Sequence, residues 1–133
     1  MQAHVSRLGG FLAVLVLAVS VSAQYGHPLK GSWSGDWGES DADRHRLLLQ
    51  FDWDGETITG TINPGPNAVA MERVSLDPST WTIHVEAEAQ EPSGAVVGYV
   101  IDGELRNLGS YNRVISGTWT QGGVTGDFTI IRN

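Results

Sequence analysis

The sequence predicts an all-β chain: a single antiparallel up-and-down β-barrel of about eight strands, with a β-sandwich as the alternative. Three observations lead there. A five-residue pattern (apolar, any residue, Gly, hydroxyl, apolar) occurs three times, as Leu29-Lys30-Gly31-Ser32-Trp33, Ile58-Thr59-Gly60-Thr61-Ile62 and Ile115-Ser116-Gly117-Thr118-Trp119. Apolar residues two apart have the period of a strand, and an interior Gly marks a bulge, a sharp bend or a close backbone approach. The apolar runs between turn signals show no helical period, and no connection is long enough for the crossover a parallel pair needs.

Taken in order, the strands are expected near 29–38, 46–53, 57–63, 68–75, 81–89, 95–105, 114–120 and 124–132. The separators are turn chemistry. Asp54-Gly55 reads as a two-residue type I′ hairpin, Asp77-Pro78-Ser79 as a Pro-set turn and Gly122-Gly123 as a two-residue turn. Asn63-Pro64-Gly65-Pro66-Asn67 cannot continue a ladder and is a loop.

Alternation assigns the faces. Leu47, Leu49, Phe51 and Trp53 share one face of the second strand, Ile58, Gly60 and Ile62 one face of the third, and Trp81, Ile83, Val85 and Ala87 one face of the fifth. Opposite that last set stand Thr82, His84, Glu86 and Glu88, a water-facing row. One apolar and one polar face is the half-buried antiparallel pattern. Pairing of the first and last strands would remove both sheet edges, which favours the barrel over the sandwich.

The chain is expected to be exported. Arg7, the apolar stretch from Leu8 to Val19 and the small residues Val21-Ser22-Ala23 have the order of a cleavable signal peptide over residues 1–23, leaving a domain over 24–133. The apolar stretch is short for a bilayer span, so no membrane insertion is expected after cleavage. The absence of Cys excludes disulfides and lipobox acylation, and the expected location is periplasmic or secreted. A net charge of −7 argues against nucleic acid and against an anionic membrane surface as partner.

Few residues speak for chemistry. His45 and His84 lie on polar faces without a partner at metal-ligand spacing, and cleavage after Ala23 puts His27 fourth instead of at the third position that binds Cu(II). No metal or cofactor is therefore expected. The carboxylates from Asp36 to Asp43, beside Arg44 and Arg46, and those at Asp52, Asp54 and Glu56 read as solvated charge. Asp102 and Glu104 would be buried carboxylates only if they faced inward; the outward reading is preferred. No nucleophile elbow, P-loop or dinucleotide fingerprint is present, so no catalytic residue is assigned. Five Trp in so small a domain are the strongest remaining signal. In a narrow barrel such residues either fill the core or line a cavity, and Trp37, Trp53, Tyr99 and Trp119 are the candidate ligand-binding residues.

Gly31-Ser32-Trp33 in the first strand, with Arg132 at the end of the last, resembles the Gly-x-Trp and closing Arg of the calycin barrels: lipocalins, fatty-acid-binding proteins and avidins. The resemblance implies that Arg132 packs over Trp33 to plug one end. The chain is also similar to small β-domains found beside hydrolase domains in exported bacterial proteins. The likeness runs through Gly31 to Gly35, Asp54 to Thr61 with one extra residue before the central Gly, and Ile115 to Gly123, and covers most of the domain. No hydrolase domain occurs in this sequence, so that likeness implies no catalytic site.

The leading expectation is a non-enzymatic protein that binds a small or partly apolar ligand at one mouth, rimmed by loops 63–67 and 107–112. The alternatives are an accessory module for an envelope protein, docking through an outer patch near Val74, Val96 and Val100, and a small isomerase or cyclase using a buried Asp102 or Glu104.

Overall fold

In the computed structural model, which describes residues 26–133, eight antiparallel strands follow one another around a closed barrel. They are β1 (Gly31–Ser40), β2 (Asp43–Trp53), β3 (Ile58–Ile62), β4 (Val69–Asp77), β5 (Thr82–Gln90), β6 (Val96–Arg106), β7 (Val114–Gln121) and β8 (Val124–Arg132). β1 closes the ring on β8, from Trp33 opposite Arg132 to Gly38 opposite Asp127. The all-β, up-and-down expectation holds strand for strand, and the sandwich does not form. The signal peptide expected over residues 1–23 lies outside the described residues.

Turn chemistry explains most boundaries. Gly122 and Gly123 both have positive φ, 58° and 84°, between the paired Gln121 and Val124: the two-residue turn the sequence suggests, here of type I′. Asp54-Gly55 does not make the two-residue hairpin expected of it. Trp53 pairs with Ile58, so the loop has four residues, and the Asp54 carboxylate accepts the N–H groups of Glu56 and Thr57 at 2.8 and 2.7 Å. A carboxylate that satisfies two loop amides stabilises the longer turn better than a tight one would. β2 also starts earlier than expected, because Asp43 pairs with Ser40 and leaves only Asp41 and Ala42 between the strands.

Two interior positions differ from simple alternation. Trp81 is not the first inward residue of β5 but the last residue of the preceding turn, at φ 56°, where its carbonyl accepts the Leu105 N–H at 2.8 Å. Its ring still packs against the core. In β4 the register slips between Met71 and Arg73, and this bulge turns Val74 and Leu76 inward. Val74 is thus part of the inner packing and not of an outer patch, because one extra residue reverses the parity of everything after it.

Side chains occupy the barrel axis. Trp33, Phe51, Trp119 and Phe128 are the largest fully buried groups, joined by Leu29, Leu49, Ile62, Val85 and Ile130. Glycines make room for them. Gly103 and Gly117 stand opposite one another in the register and Gly117 opposite Phe128, whose ring end would lie 2.9 Å from a Cβ on Gly103. Large residues facing glycines are how a narrow barrel reaches interior packing density. The three Gly of the repeated pattern have separate roles. Gly31 has φ 127° and lies under the Arg132 guanidinium, Gly60 gives space to the Met71 thioether, and Gly117 lets its strand approach the Asp102 carbonyl.

Candidate functional site at the two ends of the barrel

Up-and-down topology sends alternate loops to opposite ends. One end, the hairpin mouth, carries loops 41–42, 63–68, 91–95 and 122–123. The other, the terminal end, carries residues 26–30, loops 54–57, 78–81 and 107–113, and Asn133. Loops 63–67 and 107–112 were expected to rim one mouth and instead sit at opposite ends. The third and sixth connections differ in parity, so no up-and-down barrel could bring them together.

Three of the four candidate binding residues gather at the hairpin mouth. Trp37 stacks on Trp119 with ring centroids 5.9 Å apart, and Tyr99 meets Trp119 edge-on at 6.2 Å. Trp119 is sealed at 0% exposure and Trp37 nearly so at 7%, while Tyr99 is half-buried. The Trp119 indole N–H donates to Gln121 Oε1 at 3.1 Å, which satisfies a polar atom that burial would otherwise strand. Below them Phe128 closes the stack, 5.9 Å from Trp119. Trp119 is therefore the floor of the mouth, and Trp37 and Tyr99 are its walls.

Two openings adjoin this aromatic floor. A cleft of about 770 Å³ runs between loop 63–68 and loop 91–95, bounded by Asn67, Glu88, Gln90, Glu91 and Tyr99. A smaller one of about 400 Å³ lies beside Trp37, His45, Asn63 and Gln121. Burial, and then the nearby Glu91 carboxylate, hold the Tyr99 phenol above its ordinary pKa. The mouth thus offers flat apolar surface edged by carboxylates. Gln121 and Glu91 were not singled out from the sequence, and His45 was read there only as a residue of a polar face. Gln121 was within reach, since it lies two residues after Trp119 and shares its face.

Trp53 is at the opposite end. His27 packs on its indole at a centroid distance of 5.0 Å, and Trp53 Nε1 is buried without a hydrogen-bond partner. Here also lies the closing pair of the barrel. Trp33 is fully buried and donates its indole N–H to the Leu29 carbonyl at 2.7 Å. Arg132, its register partner on the same face, lies over Gly31 and donates Nε–H to the Lys30 carbonyl at 3.0 Å. The guanidinium is anchored to the backbone just before the first strand, which ties β8 to the residues leading into β1.

The outer wall carries a third polar feature. His84 Nδ1 and Asp102 Oδ1 are 2.6 Å apart, across a register pair of β5 and β6, and His84 Nε2 is 3.5 Å from Glu86. The hydrogen bond to Asp102 raises the His84 pKa, against the opposing effect of burial. Asp102 and Glu104 both face solvent, as preferred from the sequence, and no charged side chain is buried among the described residues. Neither is the buried carboxylate that the isomerase alternative needs.

The fold is an eight-stranded closed antiparallel barrel consistent with the calycin-like class. Compared with family models, with curated proteins and with solved structures, the chain matches none. The likeness to hydrolase-associated β-domains therefore stays a likeness of motifs.

Proposed function

We propose that this is an exported, non-enzymatic barrel that binds a small, partly apolar ligand at the hairpin mouth, in the periplasm or outside the cell. The observation that carries this reading is the packing of Trp37 and Tyr99 on the buried Trp119, with Tyr99 bordering the 770 Å³ cleft and Trp37 the 400 Å³ one. A ring or short chain would lie on Tyr99 and the edge of Trp37. Glu88 and Glu91 favour a ligand that also carries a cationic or hydrogen-bond-donating group. The centre of the barrel is filled by side chains, so binding is at the rim and not along the axis. A soluble setting fits the outer wall, where Arg44 bridges Asp36 and Asp127 at 2.7 and 2.8 Å and His84 and Asp102 sit mid-strand. A lipid-facing band tolerates such charges poorly.

Native mass spectrometry of the protein purified from its own host's envelope tests the reading. A reproducible added mass that is lost in Tyr99→Ala supports it, and a bare monomer under the same conditions overturns it. A bound second polypeptide would favour the accessory-module reading. That reading has its own observation in an outer-wall row of Leu48, Ser34 and Ile131 across β2, β1 and β8, with Leu48 and Ile131 39% and 44% exposed. Val96 and Val100, at 63% and 39%, form a separate exposed pair on β6.

A further inference from the structure

The chain is acidic, yet one cavity at its terminal end is lined by cations. Lys30, Arg113 and Arg132 border a cavity of about 350 Å³, together with Gly26, His27 and Pro28. No carboxylate borders it. Among the described residues every ion pair is made by Arg44, His45, Arg73 or His84, so these three cations have no carboxylate within the 4.0 Å of an ion pair. Residues 1–25 contain neither Asp nor Glu, so that segment supplies no acidic side chain to neutralise them.

The backbone holds these groups in place. Arg113 donates Nη1–H to the Pro28 carbonyl at 2.9 Å and Arg132 donates Nε–H to the Lys30 carbonyl. The Arg132 N–H in turn reaches the Arg113 carbonyl at 3.0 Å. Neutral carbonyl partners position a guanidinium without cancelling its charge. Two buried side-chain polar atoms among the described residues lack any hydrogen-bond partner, Arg113 Nε and Trp53 Nε1. Both are donors, and both belong to this end: Arg113 lines the cavity, and the Trp53 indole packs on His27, which also lines it. His27 Nδ1 accepts the Leu29 N–H at 3.2 Å, so the neutral ring carries its hydrogen on Nε2 and adds another donor.

The geometry points to an oxyanion-binding site at the terminal end, in which Lys30, Arg113 and Arg132 hold a phosphate or carboxylate group. Such groups are planar or tetrahedral sets of acceptors, which suits two fixed guanidinium forks and one mobile ammonium. Burial holds His27 below its ordinary pKa in the free protein, and a bound anion would raise it. The site is independent of the hairpin mouth.

Isothermal titration of the whole protein at low ionic strength, with inorganic phosphate in one arm and succinate in the other, tests the site. Saturable 1:1 binding in either arm supports it and says which oxyanion it takes. Lys30→Gln and Arg113→Gln should each weaken that binding by about tenfold, whereas Tyr99→Ala should leave it unchanged. Because Arg113 also ties Pro28, the exposed Lys30→Gln variant, with its fold checked by circular dichroism, decides if Arg113→Gln fails to fold. Absence of saturable binding in both arms, or equal affinity in folded Lys30→Gln, overturns the proposal.

Discussion

The two ends of the barrel are built from the same alternating strands but treat their aromatic residues in opposite ways. At the terminal end Trp33 is sealed beneath Leu29, its indole bonded to a backbone carbonyl, with Arg132 fastened above the first strand. At the hairpin mouth Trp119 is equally buried, but its lid consists of Trp37 and a half-buried Tyr99 beside an open cleft edged by Glu88 and Glu91. One end invests its polar contacts in closing the structure, and the other leaves its acceptors facing outward. The linings of one cleft at each end differ likewise, with Lys30, Arg113 and Arg132 around the terminal cavity and Glu88 and Glu91 beside Tyr99 at the mouth. Closure stabilises the fold, and openness leaves surface for a ligand.

The largest expected effect tests that division directly. Trp33→Ala removes a fully buried indole and strands the Leu29 carbonyl, and should cost about 3–5 kcal/mol in a urea melt. Tyr99→Ala at the mouth should cost no more than about 1–2 kcal/mol, since its ring is half-exposed and makes one edge contact. Equal losses would erase the distinction between a structural and a binding end.

The turns sharpen the comparison at a smaller scale. Gly122→Ala places a side chain at φ 58° in the mouth's type I′ turn and should destabilise by about 1–2 kcal/mol. At the opposite end Asp54→Ala should free two loop amides and lower the urea midpoint by less than Gly122→Ala does. The hydrogen bonds from Thr57 and Glu56 also hold the Asp54 carboxyl below its ordinary pKa. The unfolded state then binds its proton first, so this contribution is present above the ordinary carboxylate range and disappears as pH falls through the lowered value. Denaturation of Asp54→Ala should accordingly show a shallower loss of stability on acidification than the parent.

The smallest effect is a pair of opposite titrations, read by NMR of the imidazole carbons. Burial lowers His27, so its contribution favours the fold above 6.5 and is lost as pH falls through its lowered value. The bond to Asp102 raises His84, so its contribution is complete below 6.5 and is lost as pH rises through the raised value. In Asp102→Asn the His84 midpoint should move back toward 6.5 while His27 stays where it was. Movement of both would mean that the wall and the terminal end are coupled.

Much of the barrel was legible in the residues. Leu47, Leu49 and Phe51 face inward and Thr82 and Glu88 outward because the strand period leaves an alternating sequence one way to bury its apolar set. The β4 face was not legible, since nothing local announces the bulge that turns Val74 inward. Of the candidate binding residues, Trp37, Tyr99 and Trp119 proved to be neighbours and Trp53 lay at the other end. Residue type marked all four as aromatic surface, but only strand direction sorts them.

By itself, then, the sequence determined the number of strands, their order, most of their faces and where most of the turns fall. These depend on contacts between near neighbours: alternation, a Gly at positive φ, a carboxylate capping its own loop. Tertiary structure decided which residues meet at each end, because that depends on register around a closed ring. Lys30, Arg113 and Arg132 are far apart in the chain and converge only when β8 pairs with β1 and loop 107–113 folds down beside Pro28.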